Sequence, residues 1–384
     1  MTAPTRPDPA RPEPARLSPE QVAAATLACL PEITPVRMRA LLDAFGGAVS
    51  TLDAVLRGHA LRVMREATPA RYHESLPALM ALWTSVASDE RLPALLARRR
   101  TNVFVEHTEG FPVFDAPDAP AVLLAEGAGA DAFVPRTVAV VGTRAATPQG
   151  LADAYEIGAY LARAGCTVVS RLAIGIDGAA HEGALDAGGT VVGVVGTGLD
   201  VVYPRRHRSL FERVRAQGLL VSELGYGVGP RKQSFPIRNR IIAGCSEIVV
   251  VVEATARGGA RITADKALAY GRTELAMPGS RRNPAAAGTN QLLYDGAQPL
   301  LDPNDLGIAL SLTPSLRKAA EAPPRRPPEG DAGRVLRACA GEPVTLDELA
   351  SRTGFALDVI LRTVRGLERE GWVVRKDGLY WPLA

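Results

Sequence analysis

Cations and one aromatic residue alternate in the segment Arg231-Lys-Gln-Ser-Phe-Pro-Ile-Arg-Asn-Arg240. Lysine and arginine neutralise phosphates and an aromatic ring stacks on a base, which is how single-stranded nucleic acid is held without reading its sequence. The candidate contacts are Lys232, Phe235, Arg238 and Arg240. The alternative is a solvated basic face in which Phe235 belongs to the core and one of the two later arginines supports the edge of a sheet.

The segment Val140-Val-Gly-Thr-Arg144 is a second place where a phosphate could bind. It ends an apolar run, and Thr147 and Pro148 then provide an N-cap and a first helical residue. Gly142 lets a ligand approach the backbone, a helix N-terminus favours an anion, and Arg144 adds a bidentate cation. The alternative is an ordinary turn between a strand and a helix that carries a solvated arginine.

Acid–base and cofactor chemistry have weaker support in the sequence. Asp177 and His181 stand four residues apart and so share one helix face, where a structural pair is a commoner outcome than catalysis. Gly196-Thr-Gly198 begins a dinucleotide fingerprint, but Val201 stands where the third small residue should be, and the chain contains no P-loop. We therefore expect a protein without catalytic residues or cofactor.

Composition excludes several other classes of protein. The formal net charge of +3 over 384 residues is too small to indicate a nucleic-acid binder unless the cations cluster locally. The four cysteines are far apart, which predicts neither a zinc site nor a disulfide framework. No apolar run is long enough to span a bilayer, and the N-terminus lacks the apolar stretch of a signal peptide. These features predict a cytoplasmic protein without a membrane or metal partner.

The elements that must position these residues lie in the centre of the chain. Short runs rich in Val, Ile and Leu alternate with helical segments, which predicts a doubly wound, mainly parallel α/β sheet. The predicted strands are Thr137–Val141, Cys166–Ser170, Thr190–Val195, Leu219–Glu223, Glu247–Val252 and Glu274–Met277, and one predicted helix is Pro236–Gly244. Because ligands bind at the carboxyl ends of such strands, the first loop should bring Arg144 to the site.

Segments with different residue patterns flank this sheet. Leu30–Gly47, in the helical N-terminal part, resembles a SAM or helix-hairpin-helix element that serves either contacts or DNA binding. Near the C-terminus, Thr345 and Glu348 form a capping box, and two strands after the last helix complete a winged-helix pattern for DNA or protein contact. The predicted organisation is a disordered tail (1–16), a helical SAM-like domain (17–105), a Rossmann-like domain (106–312), a Pro/Arg-rich linker (313–330) and a winged-helix domain (331–384).

Taken in order, the central motifs resemble those of the DprA/Smf (DNA-processing protein A) family. They are Val141-Gly-Thr-Arg144, Leu172-Ala-Ile-Gly-Ile-Asp177, Gly196-Thr-Gly-Leu-Asp200, Ser222-Glu223, Phe235-Pro-Ile-Arg-Asn-Arg-Ile241 and Pro278-Gly279. The resemblance implies an extended Rossmann-like fold and a homodimer. It also implies binding of single-stranded DNA, with double-stranded DNA as a weaker ligand, and loading of a RecA-type recombinase during natural transformation.

Carried over by motif position, the resemblance implies DNA contacts from Gly142, Thr143, Arg144, Lys232, Phe235, Arg238 and Arg240. Two positions depart from the family pattern. Arg171 stands where the family usually has Gly, and Gly259-Ala-Arg261 replaces the usual Ser-Gly-Ser. Either departure could enlarge the positive surface or change how the backbone meets a phosphate, and Arg171 is therefore included among the predicted DNA contacts.

Two further functions compete with this interpretation. A phosphoribohydrolase acting on nucleoside monophosphates has a related fold, but Pro278-Gly-Ser-Arg-Arg lacks the second glycine of its Pro-Gly-Gly loop. A winged-helix regulator with a nucleotide-sensing Rossmann domain would bind duplex DNA sequence-specifically through the predicted helix Ala356–Glu370.

Overall fold

The computed structural model describes residues 17–89, 91–106, 108, 111–114, 116–128, 132–133, 136–313, 328, 330–339, 344–369, 372–376 and 379–382. The predicted tail at 1–16 and most of the predicted linker at 313–330 lie outside these residues. The chain forms two compact units, Met1–Ala320 and Glu321–Ala384. The predicted helical and Rossmann-like segments thus share the first unit.

Capping residues start the helices at the beginning of the first unit. Ser18 and Gln21 form a capping box, and Thr34 accepts a hydrogen bond from the backbone N–H of Arg37. Gly46 ends the second helix at φ 76°, a left-handed conformation that favours glycine. These helices are α1 (Pro19–Ala28), α2 (Pro35–Phe45), α3 (Ala48–Leu56), α4 (Leu61–Glu66), α5 (Leu76–Ala87) and α6 (Arg91–Arg99), with a 3-10 turn at Ala70–Ser75.

A sheet that has nine strands within the described residues forms the centre of this unit. The strands are β1 (Asn102–Val105), β2 (Val122–Gly127), β3 (Thr137–Val141), β4 (Thr167–Ser170), β5 (Val191–Val194), β6 (Leu219–Ser222), β7 (Ile248–Val251), β8 (Thr273–Ala276) and β9 (Gln298–Pro299). Their spatial order is β1-β2-β6-β5-β4-β3-β7-β8-β9. In this spatial order, each pair of neighbouring strands from β6 through to β9 is parallel. Strand β2, in contrast, pairs antiparallel with both β1 and β6.

Helices cover both faces of the sheet, which makes it the predicted doubly wound α/β fold. They are α7 (Pro148–Arg163), α8 (Ile176–Asp186), α9 (Arg208–Gln217), α10 (Ser234–Gly244), α11 (Gly259–Ala269), α12 (Ala287–Tyr294) and α13 (Asn304–Leu312). Alternate residues of β3 enter opposite cores: Val138 joins α7 and α8, and Ala139 joins α10 and α11. Leu27 and Trp83 belong to the first of these cores, so the N-terminal helices pack on the sheet.

The predicted strands correspond to β3 to β8, with ends that differ by a residue or two. Strands β1, β2 and β9 were not predicted, and β1 lies in the segment predicted to be helical (17–105). The β2 sequence Val-Leu-Leu-Ala-Glu-Gly is rich in residues that favour helices, and pairing with a strand on each side overrides that preference. Helix α10 also begins two residues earlier than predicted, so Phe235 lies in its first turn.

The second unit has the predicted winged-helix arrangement. In its described part, α14 (Gly330–Ala338), α15 (Leu346–Thr353) and α16 (Leu357–Arg369) precede an antiparallel ribbon of β10 (Val373–Lys376) and β11 (Leu379–Pro382). The capping box of Thr345 and Glu348 forms as predicted. Val335, Leu349 and Ile360 contribute one buried residue from each helix to the core of this unit.

Candidate nucleic-acid interface

Basic side chains follow each of the strands β3 to β8 at their carboxyl ends. Because these strands are parallel, their carboxyl ends lie at one edge of the sheet, where open α/β sheets bind ligands. The cations in these loops are Arg144, Arg171, Arg205, Arg206, Arg208, Arg231, Lys232, Arg257, Arg281 and Arg282. All except Arg171 are exposed. We call this set the basic rim. Of its members, only Arg144, Arg171 and Lys232 were among the predicted contacts, although the position of the others after strands could have identified them.

An aromatic pocket of about 40 Å³ opens within the basic rim. Phe235 lines it and is half-buried, and the ring of Tyr203 lies 5.4 Å from the Phe235 ring with 31° between the ring planes. The guanidinium carbon of Arg144 lies 5.6 Å from the centre of the Phe235 ring. A cation above a partly open ring can hold a phosphate while the ring receives a base.

Close packing and hydrogen bonds hold the loop after β3 in its conformation. Gly142 is buried, and a side chain there would place its Cβ 2.4 Å from Cγ1 of Ile176. The backbone N–H of Thr143 donates to the carbonyl oxygen of Glu253 at 2.7 Å, and its hydroxyl accepts from the N–H of Ala145 at 3.2 Å. Gly142 and Thr143 therefore shape the turn that presents Arg144.

Asp177 is fully buried and pairs with Arg171, not with His181. Its two carboxylate oxygens accept hydrogen bonds from Nε of Arg171 at 2.6 Å and from Nη2 at 2.8 Å. The N–H of Gly142 also donates to this carboxylate, at 3.2 Å. Burial raises the pKa of Asp177, but the nearby positive charges, chiefly the Arg171 guanidinium and then Arg238, together lower it below its usual value, so the carboxyl stays ionised. The possible acid–base pair of Asp177 and His181 therefore does not form.

Arg171 is consequently enclosed: its side chain is 8% exposed, and Nη2 also donates to the carbonyl oxygen of Gly142 at 2.9 Å. Its guanidinium therefore braces the first loop, although it still lines the aromatic pocket. The second departure from the family pattern lies beside it. A Cβ added to Gly259 would lie 3.6 Å from Nη1 of Arg171, and Asn239 donates to the Gly259 carbonyl oxygen at 3.2 Å.

Arg238 is buried in the wall of the aromatic pocket. It donates to the carbonyl oxygens of Val194 and Arg171, and its Nε has no partner among the described residues. Burial and the nearby Arg171 lower the pKa of Arg238 to about 9, because both disfavour its charged form. Three guanidinium groups, those of Arg144, Arg171 and Arg238, thus line the pocket, and none of the residues described as lining it is acidic.

Two further predicted contacts have different surroundings. Arg240 is buried and pairs with Glu223 after β6, with its Nη2 2.6 Å from Oε1. It thus has the supporting role that the sequence left open for Arg238 or Arg240. Lys232 is exposed, three residues before Phe235. Of the predicted contacts, Arg144 and Lys232 are thus exposed and Phe235 is half-buried, and of these three only Arg144 and Phe235 line the pocket.

The described residues contain no group of three His, Cys, Asp or Glu side chains placed to hold a metal ion, and all four cysteines are free. Within the same part of the chain, no helix combines the length and the apolar character that crossing a bilayer requires.

Comparison with known proteins identifies relatives of both units. The family model for DNA recombination-mediator protein A matches residues 103–311, and that for the DprA winged helix domain matches residues 319–378. Protein Smf of Synechocystis is 34% identical over 273 residues, which cover 63% of this chain and 69% of Smf.

Two solved structures are also similar. DNA processing protein A from Streptococcus pneumoniae has a TM-score of 0.63 at 29% identity, covering 78% of this chain and 99% of that one. DNA processing protein A from Helicobacter pylori has a TM-score of 0.50 at 27% identity, covering 55% of this chain and 95% of that one. That structure is described for its single-stranded DNA binding mode. The chain therefore belongs to the DprA/Smf family of DNA recombination mediators.

Proposed function

We propose that this protein binds single-stranded DNA at the carboxyl ends of strands β3 to β8. The observation that supports this most directly is the set of three guanidinium groups that line the pocket, next to the half-buried ring of Phe235. Arg171 is already paired with Asp177, so a phosphate would supply the negative charge that Arg144 and Arg238 lack, and a base would stack on the ring. The Helicobacter pylori relative, which is described as binding single-stranded DNA, adds support.

In this proposal different side chains contact the phosphates, contact a base or support the loops. Arg144 and Lys232 contact phosphates directly, and Phe235 contacts a base. Arg238 faces the same phosphate from the wall of the pocket, whereas Gly142, Thr143, Arg171 and Arg240 hold the loops in place. Binding of this kind needs no catalytic group, because its free energy comes from released counterions and from stacking.

We further propose that the protein passes the bound strand to a RecA-type recombinase and acts as a homodimer in the cytoplasm. Membership of a family of recombination mediators supports the first step. Large apolar side chains exposed near the end of the sheet support the homodimer. They are Tyr294, Leu301, Ile308 and Leu312, which are 59% to 88% exposed.

Replacing Arg144 by Ala should weaken binding of oligo-dT by about tenfold, in line with the roughly 1.5–3 kcal/mol that a hydrogen bond to a charged group contributes. The logarithm of the affinity should also fall less steeply with the logarithm of salt concentration, because one phosphate contact is lost. Fluorescence anisotropy of a labelled oligo-dT at two salt concentrations, with unlabelled duplex as competitor, measures both effects.

Arg163→Ala is the matched control, because Arg163 is equally exposed but lies at the end of α7, which leads to the amino end of β4. That variant should bind like the parent. Equal affinity of the Arg144 and Arg163 variants, or binding that duplex competes away, would refute the proposed site. Release of free base from a nucleoside monophosphate would instead favour the phosphoribohydrolase.

A further inference from the structure

A groove of about 740 Å³ adjoins the aromatic pocket, between the N-terminal helices and α10. One wall is formed by the loop into α2, from Pro31 to Arg37, and by Tyr72 and Ser75 of the 3-10 turn. The opposite wall is formed by Arg231 and by the first turns of α10. Both walls belong to the first compact unit, and their helices share one core with the sheet.

The groove and the aromatic pocket are adjacent cavities. Val195, Gly196 and Arg238 line both of them. Ser234, directly before Phe235, lines the groove. The unpartnered Nε of the buried Arg238 therefore lies in a wall that the two cavities share. A strand that stacks one base on Phe235 would therefore have the groove directly beside it.

The groove has the side chains that suit a nucleic-acid strand. The Tyr72 ring is 48% exposed, and the guanidinium carbon of Arg71 lies 4.9 Å from its centre. Val36 and Ile237, which are 67% and 42% exposed, provide apolar surface on opposite walls. Rings and apolar side chains exposed inside a groove offer stacking surfaces for bases, as the Phe235 ring does in the pocket.

The charge in the groove favours an anion. Among the described residues, Arg37 and Arg231 have no carboxylate within ion-pair distance, and Arg37 instead donates to the carbonyl oxygen of Glu32 at 2.8 Å. Glu32 adopts φ 56°, an uncommon conformation for a residue with a side chain, and so directs that carbonyl to the guanidinium. Of the two acidic residues in the walls, Glu223 is already paired with Arg240.

We propose that this groove is a second segment of the single-strand path, which makes the N-terminal helical segment part of the DNA-binding surface. Arg37 and Arg231 contact phosphates, and Tyr72 stacks on a base that lies beyond the one on Phe235. This proposal rests on the proposed function. It extends the site from the loops of the sheet to helices that the family resemblance left without a role.

The test compares two lengths of oligo-dT, of about 4 and about 16 nucleotides, which span the usual site sizes of single-strand binders. Replacing Arg37 and Tyr72 together by Ala should weaken binding of the longer oligonucleotide by about tenfold, given the usual effect of losing a stacked base. Binding of the shorter one should not change. Arg62→Ala is the control, because Arg62 is 90% exposed in the same helical segment and pairs only with Glu66 among the described residues.

Arg144→Ala separates failure of this proposal from failure of the proposed function. If that variant loses affinity for both lengths while the Arg37/Tyr72 variant binds both like the parent, the groove proposal is wrong and the pocket stands. That result would also be expected if the groove held a peptide. No binding of either length by the parent would overturn both proposals.

Photo-cross-linking of the unsubstituted protein gives a second measurement that does not depend on the variant folding. The longer oligonucleotide should cross-link to the peptide that contains Tyr72, and the shorter one only to the peptide that contains Phe235. Cross-links of the longer oligonucleotide that never reach Tyr72 or residues 31–37 would overturn the proposal.

Discussion

At the scale of single residues, the motifs in the sequence indicated side chains that the fold brings together, but not how those side chains pair. Arg144, Arg171 and Arg238 all gather at the aromatic pocket, as their motifs indicated. Only the structure shows that Arg171 is bound by Asp177 and that Arg240 is bound by Glu223. Such pairing depends on contacts between separate loops, so spacing along the chain cannot predict it.

Phe235 allows stacking to be separated from packing, because the residue is half-buried and also lines the pocket. Phe235→Leu keeps most of the apolar volume, so the free energy of unfolding should fall by less than about 1.5 kcal/mol. The affinity for oligo-dT should fall about tenfold, since stacking contributes roughly 1–3 kcal/mol per base. Anisotropy and thermal unfolding measure the two effects.

Phe211→Leu is the opposite control, because Phe211 is a fully buried residue of α9 and lies outside the residues that line the pocket. That variant should lose stability and keep its affinity. If Phe235→Leu loses stability without losing affinity, the ring belongs to the core, as the alternative interpretation of the sequence held.

At the scale of elements, prediction succeeded where a segment has one periodicity throughout. Strands β3 to β7 are short, mostly apolar runs, so their buried position is visible in the sequence. Strand β2 contains helix-favouring residues, and β9 has only two residues, one of them proline. Their strand conformation comes from pairing with neighbours, which local sequence does not encode.

A buried histidine on helix α8 predicts that the free energy of unfolding depends on pH. His181 is fully buried on this helix, and burial lowers its pKa to about 4 despite the nearby Asp177. Between pH 6.5 and pH 4 the unfolded chain therefore binds a proton at His181 that the folded chain does not, and stability falls as the pH falls. From pH 7 to pH 5 this residue alone should lower the free energy of unfolding by about 2 kcal/mol.

Urea denaturation of the parent and of His181→Gln at pH 7 and pH 5 measures this contribution. The variant should be less stable at pH 7 but should show a smaller difference between the two pH values. An equal pH difference in both proteins would mean that other groups cause the whole effect.

At the scale of the whole molecule, the chain consists of two compact units, and the predicted site lies entirely in the first. The apolar side chains exposed near the end of that unit lie on other elements than those that line the aromatic pocket. A homodimer formed through them would leave each copy with its own basic rim. Two rims on one particle would bind a long strand more tightly than one, because the second contact is intramolecular.

Replacing Leu301 and Leu312 together by Glu should convert a dimer into a monomer, since charged side chains in an apolar interface must be desolvated. Sedimentation equilibrium over a range of concentrations measures the change in mass. Val49→Glu is the control, because Val49 is 46% exposed on α3 and should not affect association. A parent protein that is monomeric at all concentrations would contradict the proposed dimer.

The close approach of α7 and α8 has a consequence for genetic screens of this protein. A Cβ at Gly158 would lie 2.1 Å from the carbonyl oxygen of Ala180, and one at Gly183 would lie 2.0 Å from that of Tyr155. Neither helix can accept an alanine there without moving the backbone, whereas the basic rim spreads its charge over many exposed residues. Single-substitution alleles that abolish function should therefore be found more often at these two glycines, which do not line the aromatic pocket, than at any one cation of the rim.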